Sequence, residues 1–162
     1  MNKKLILIIC VILSLNGCTR DDICPEGTST TPLLIITFKD IANPLVAKSV
    51  ANLTIETDYD ESITFATAIS TDSIGIPLQT DANSTRYRFI KNAGASNEII
   101  DIYEFTYERS TIYVNRACGF KANYSALAAR EDDTGVTDWI LNLILLKTTV
   151  EDETEAHITI LH

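Results

Sequence analysis

Two histidines, four cysteines and three short runs of carboxylates are the side chains with chemistry to offer in this 162-residue chain. His157 alternates with Ile158 and shares a face with Glu155 and Thr159, a pattern that predicts a solvent-facing ring near a sheet edge. His162 is the last residue of the sequence. A Ser-His-Asp triad would have to recruit one of these two rings, and no Gly-x-Ser-x-Gly elbow exists to present the serine. The six glycines form no phosphate-cradling loop. Two cysteines and two distal histidines lack the ligand spacing of a zinc site. The acidic runs at residues 58–61, 131–133 and 151–153 fall at predicted loop tips. Carboxylates from adjacent loops are calcium ligands, but none of these runs has EF-hand spacing, and solvated turns are the default reading. A carboxylate pair would also serve a glycosidase, which needs a deep cleft that a small sandwich seldom provides. No catalytic, cofactor-binding or metal-ligating residue is therefore assigned.

The elements that must position these groups read as strands. From Leu33 onward, short alternating segments are separated by turn residues: Leu34, Ile36 and Phe38, then Ala51, Leu53 and Ile55, then Ile63 and Phe65. Ile74, Ile76 and Leu78 alternate next, and Pro77 confines that segment to an edge or bulge. Tyr87 and Phe89 follow, and then the longest patterned stretch, with Ile99, Asp101, Tyr103, Phe105 and Tyr107 on one face. At alternating spacing that aromatic stripe reads as core. Arg109 and Ser110 suggest a tight reversal, after which Ile112, Val114 and Cys118 line one side of a strand and put Cys118 inward. Trp139, Leu141, Leu143 and Leu145 form a further strand, and residues 147–155 close a hairpin onto Ala156, Ile158 and Ile160. Only "NYSALAARED" has a helical composition, and it is short. Nine or ten strands near ten-residue spacing predict an all-β fold, a single antiparallel β-sandwich. An immunoglobulin-like topology fits the strand count. Its hallmark of a tryptophan between two cysteines is absent, because Trp139 follows both.

The start of the chain addresses location. Met1-Asn2-Lys3-Lys4 precedes an uncharged apolar run over residues 5–13, the pattern of a secretory signal peptide. The run is shorter than the roughly 20 residues a transmembrane helix needs. Leu15-Asn16-Gly17-Cys18 then resembles the lipobox of bacterial lipoproteins, with Asn16 a mild departure. The resemblance implies that Cys18 is lipidated and becomes the first mature residue, while Cys10 leaves with the signal. The expected organisation is a signal peptide at 1–17, a lipidated tether at 18–32 and a β-sandwich at 33–162. Export places Cys24 and Cys118 in an oxidising compartment, where thiols pair. With the Cys18 sulfur occupied, Cys24–Cys118 is the available intramolecular pairing, and two free thiols are the alternative. On the chain-entropy model such a bridge stabilises by about 4 kcal/mol or a little more.

The net charge is −9, and more acidic still once Lys3 and Lys4 are removed. This argues against nucleic-acid binding, which requires basic patches. It also argues against docking on anionic headgroups, leaving the lipid alone to hold the membrane. Solubility is a sufficient reason for much of the acidity.

Taken together, "LNGCTRDDICPEGTSTTPLLIITF", "IPLQTDANSTRYRF", "YVNRACGFKANY" and "AHITILH" resemble a family of short Bacteroidota lipoproteins recorded only as a domain of unknown function. The resemblance spans nearly the whole chain. It implies an envelope lipoprotein, supports the Cys24–Cys118 pairing and brings no activity with it. Asp21 and Asp22 are similar to the acidic signal that sends such lipoproteins to the cell surface, although Arg20 interrupts the run. Surface display is thereby favoured over the periplasmic face. Asp72-Ser73-Ile74 resembles the three-residue O-glycosylation site of these bacteria and makes Ser73 a candidate acceptor. The expectation is an outer-membrane lipoprotein, a non-enzymatic module that binds a protein or glycan partner without a cofactor. A structural or assembly role is the alternative, and a small hydrolase a third. An exposed aromatic stripe beside a groove would favour glycan, and converging carboxylates in a cleft would favour the enzyme.

Overall fold

The computed structural model describes residues 23–132 and 137–162. The signal segment, the lipobox with Cys18, the acidic pair Asp21 and Asp22, and Asp133 lie outside the described residues. Within them are ten strands: β1 (Leu34–Asp40), β2 (Asn43–Ala47), β3 (Val50–Thr57), β4 (Thr64–Thr71), β5 (Ser73–Ile76), β6 (Ser84–Lys91), β7 (Ile99–Asn115), β8 (Gly119–Glu131), β9 (Asn142–Leu145) and β10 (Ile158–Leu161). One sheet runs β2-β1-β10-β9, with β5 also paired to β1, and the other runs β4-β3-β6-β7-β8. The period-2 alternation of branched and aromatic residues gives each sheet one apolar face. Leu34, Ile36, Phe38, Ile158 and Ile160 from the first sheet and Leu53, Ile55, Tyr87, Phe89 and Phe105 from the second form one buried cluster. The result is the all-β sandwich that the sequence predicts.

Three details differ from the sequence reading. The β1–β10 pair is parallel, in register Ile36↔Ile158 to Lys39↔Leu161, and the threonines facing across it bond at 3.0 Å (Thr37 to Thr159). Strands so far apart in sequence are joined by no hairpin, so nothing local forces them antiparallel. Secondly, no reversal occurs at Arg109 and Ser110, and β7 continues to Asn115. The turn comes at residues 116–118, where the Asn115 side chain accepts from Cys118 N at 2.7 Å and Gly119 adopts φ +72°. Cys118 therefore sits half-buried in a turn instead of facing inward from a strand. Thirdly, "NYSALAARED" lies in β8 up to Glu131, where tertiary pairing with β7 overrides its helical composition.

The sheets are also tied together by polar groups. Trp139 lies with its ring 6.2 Å from Phe38 of one sheet, and its indole N–H donates to Phe89 O of the other at 3.0 Å. The Asp101 carboxylate, fully buried on β7, accepts from Trp139 N at 3.1 Å and from Ile140 N at 2.7 Å. Cys24 and Cys118 are joined in a disulfide spanning 94 positions.

Candidate functional site

An open cleft of about 390 Å³ lies where the β3–β4 turn faces the segment after β5. The turn is closed by Thr57, whose backbone N donates to Ile63 O and whose hydroxyl accepts from Ile63 N, at 2.9 and 2.8 Å. This pinch throws Tyr59 and Ile63 outward, and Phe65 follows on the edge strand β4. All three are exposed large hydrophobics on the cleft lining. Tyr59 is fixed because its hydroxyl accepts from Arg86 N at 3.0 Å, and Phe65 stacks edge-on against Tyr87, with centroids 5.7 Å apart.

The opposite wall, residues 77–80, has no strand partner, yet every one of its carbonyls is held by a side chain. Tyr87 donates to Pro77 O, Tyr124 to Leu78 O at 3.0 Å, Tyr107 to Gln79 O at 3.1 Å, and the Arg109 guanidinium to Thr80 O. Because Tyr107 gives its one proton to Gln79 O, the 2.6 Å contact with Thr85 must run from the Thr85 hydroxyl to Tyr107. Thr85 Oγ1 in turn accepts from Gln79 N at 2.9 Å, closing a ring of three bonds. Burial raises the Tyr87, Tyr107 and Tyr124 hydroxyls, the last to about 12, so all three stay protonated donors at neutral pH. Pro77 also ends β5 one residue earlier, as its missing N–H requires.

Glu61 and Asp81 line this cleft as well, and the Arg109 guanidinium stands at its edge on Thr80 O. Its chemistry is that of aromatic faces and a carboxylate rim, suited to a neutral or cationic ligand with apolar faces. The stripe of Tyr103, Phe105 and Tyr107 is buried, as the alternation implies. The exposed aromatics come instead from the turn 58–65 and from Tyr113 with Phe120. Sequence reading missed this wall. The available signal was that the strand aromatics are largely tyrosines, each of which needs a partner for its hydroxyl when buried.

Four members of the acidic runs are spent on other contacts. Asp58 of one run and Asp132 of another meet on Arg86, at 2.8 and 2.9 Å, and Arg130 links Asp132 to Glu104 at 3.1 and 2.8 Å. Asp152 caps its own turn through Thr154 N at 2.9 Å, and Glu153 accepts from Leu33 N at 2.9 Å. Among the described residues no group of three or more histidine, cysteine or acidic side chains is placed to hold a metal ion.

The histidine expectation is corrected. His157 is 2% exposed, and its Nδ1 accepts from Ile35 N at 3.0 Å, completing the pairing where β1 meets β10. Its backbone bonds Ile35 O and Leu146 N and so pins it between β1 and the end of β9, which turns the ring inward although its sequence neighbours alternate. His162 is buried too, edge-on to Phe38 and Trp139, with Nε2 3.0 Å from Lys48 O. Burial lowers both rings below the usual histidine range, and both are neutral at pH 7. Asp101 is displaced the other way, pushed up to about 6 chiefly by burial. Its two backbone partners give it a structural use.

Ser73 is exposed at the start of β5. Residues 23–31 lie against β8: Lys121 Nζ donates to Ser29 Oγ at 2.7 Å and Ala122 N to Thr31 Oγ1 at 3.0 Å. Residues 52–162 match the model of a family of unknown function, DUF6452, a span that begins within β3 and contains Cys118 but not Cys24 or β1. No curated protein and no solved structure matches the chain.

Proposed function

This chain belongs to the family of unknown function DUF6452, and we propose that it is a lipid-anchored outer-membrane module that binds glycan without transforming it. The observation that carries the reading is the cleft, which sets exposed Tyr59, Ile63 and Phe65 against a wall held at four successive carbonyls. Sugar rings present apolar faces that stack on such aromatics, and a pre-organised wall lowers the ordering cost of binding. A rim carrying Glu61 and Asp81 favours neutral or amino sugars over sulfated or uronic ones. The commitment of each histidine ring to a backbone group supports a non-enzymatic role. Cys18 is the anchor, residues 1–17 the signal, and Ser73, exposed on an edge strand, the O-glycan acceptor. Display on the cell surface suits a glycan-capturing cleft.

Isothermal titration of the full chain against neutral, amino and uronic oligosaccharides tests this. Binding of the first two, weakened at least tenfold by Tyr59→Ala or Phe65→Ala, is expected. Equal affinity in both variants, or binding confined to the uronic set, overturns it. A hydrolase is the second reading, favoured by the presence of Glu61 and Asp81 on one cleft. Both stand in solvent, whereas a glycosidase acid works from a desolvated site. Product release that Glu61→Gln abolishes would establish the hydrolase instead.

A further inference from the structure

Beyond β6, whose pairing with β7 ends at Ser84↔Thr106, strands β7 and β8 continue as a two-stranded arm. At about 3.3 Å per residue the arm extends roughly 20 Å over residues 109–115. Its end carries a pair of exposed aromatics, Tyr113 at 59% and Phe120 at 68%, directly opposite in register with centroids 5.4 Å apart. Ile112 is exposed beside them, and Ile23, at 76%, adjoins Cys24, whose disulfide reaches the arm's turn at Cys118. Phe120 and Lys121 share a hollow with Cys24 and Thr31. Residues 112–121 include Arg116 and Lys121 and no carboxylate, whereas Asp21, Asp22 and Glu26 flank Ile23 in the sequence. Exposed apolar and aromatic side chains beside cations are what the interface of a phospholipid membrane accepts, with rings at headgroup depth and cations on phosphate.

We propose that the arm tip is a membrane foot, in which Tyr113, Phe120 and Ile23 enter the bilayer interface and Arg116 and Lys121 meet lipid phosphates. This rests on the reading of Cys18 as the lipid anchor. The disulfide then fixes the chain six positions after Cys18 to the very element that carries the exposed rings. The whole-chain charge argues against headgroup docking, and the cations that would meet phosphate are confined to the β7–β8 end, at Arg116 and Lys121. Anchor and foot together fix the tilt of the module and keep the cleft at a set height.

The test uses the full lipidated chain in vesicles of phosphatidylethanolamine with 30% phosphatidylglycerol, with and without bromine on the acyl chains. In the parent chain the one tryptophan, Trp139, is buried and serves as the unquenched reference. Phe120→Trp is expected to lose at least half of its added emission to brominated lipid. Charge reversal at Arg116 and Lys121 on that background should cut the loss several-fold. No quenching of a chain that still floats with the vesicles overturns the foot and leaves the anchor standing. A chain that fails to float as expressed overturns the anchor and the foot with it. Shielding of Phe120→Trp in native membranes but not in vesicles overturns the foot in favour of a protein partner. A urea midpoint equal to the parent's verifies that each variant is folded.

Discussion

Two irregular segments of this molecule are fastened to the same sheet by opposite means. Residues 77–80 are held by tyrosine hydroxyls and an arginine reaching out of β6, β7 and β8, three of the four donors being buried side chains. Residues 23–31 are held near the surface by one covalent bond and two hydrogen bonds to β8. The first fastening exists only while the core is packed and is indifferent to redox state. The second persists in the unfolded chain and depends on an oxidising compartment. On the proposed reading, the wall that shapes a glycan cleft is thus built from the core, and the segment leading to the proposed anchor is built to hold under opening.

The sharpest way to break the contrast is to remove the disulfide. Cys118→Ser should lower stability by about 4 kcal/mol, read from urea midpoints, because a 94-position loop is freed in the unfolded state. Reduction of the parent should do the same, and an unchanged midpoint would show that the hydrogen bonds alone hold residues 23–31.

A second probe separates ionisable from neutral fastenings. Asp101 has a folded value of about 6 against 3.8 in the open chain, so the folded state holds its proton across that interval while the unfolded state does not. Its contribution is fully present below pH 3.8 and is lost as pH rises through about 6. Stability of the parent minus that of Asp101→Asn should therefore fall by about 2 kcal/mol between pH 4 and 6. The difference is the quantity to measure, since the two buried histidines, both lowered, slope the opposite way below their unfolded values. The hydroxyl-held wall should show no such slope.

Next, Tyr124→Phe and Tyr107→Phe each leave a carbonyl of the wall without its donor and should cost about 1–3 kcal/mol. Tyr113→Phe on the exposed arm should stay within about 0.5 kcal/mol by the same denaturation measurement. Among the wall's fastenings the smallest change belongs to Arg109→Ala at its solvent end, at about 1 kcal/mol or less, with the loss seen instead in faster amide exchange of residues 79–81.

The strands were legible because alternation encodes burial directly: Leu34, Ile36 and Phe38 could face inward in only one register. The Cys24–Cys118 pairing was legible for a chemical reason, the scarcity of partners in an oxidising compartment. His157 was misread because alternation describes a strand's faces and is silent where a residue precedes the strand and is fixed by its neighbours' backbone. The cleft was illegible for a related reason. Its aromatics sit in a turn and on the edge strand β4, and its wall depends on tyrosines tens of positions away, contacts that no local pattern records. Arg109 looked like a turn residue and proves to be the outermost clasp of that wall.

The long disulfide also sets the path of mechanical load. A pull on the chain ahead of Cys24 enters the sandwich at Cys118, in the β7–β8 turn, and not at Leu34. The parallel β1–β10 pair, which would otherwise bear the tension first, is bypassed. Force passes instead along β7 and β8, the longest strands among the described residues, whose many backbone bonds are loaded from the tip of the hairpin inward. A tug on the chain ahead of Cys24 is therefore borne by the β7–β8 ladder, and β1 is insulated from it.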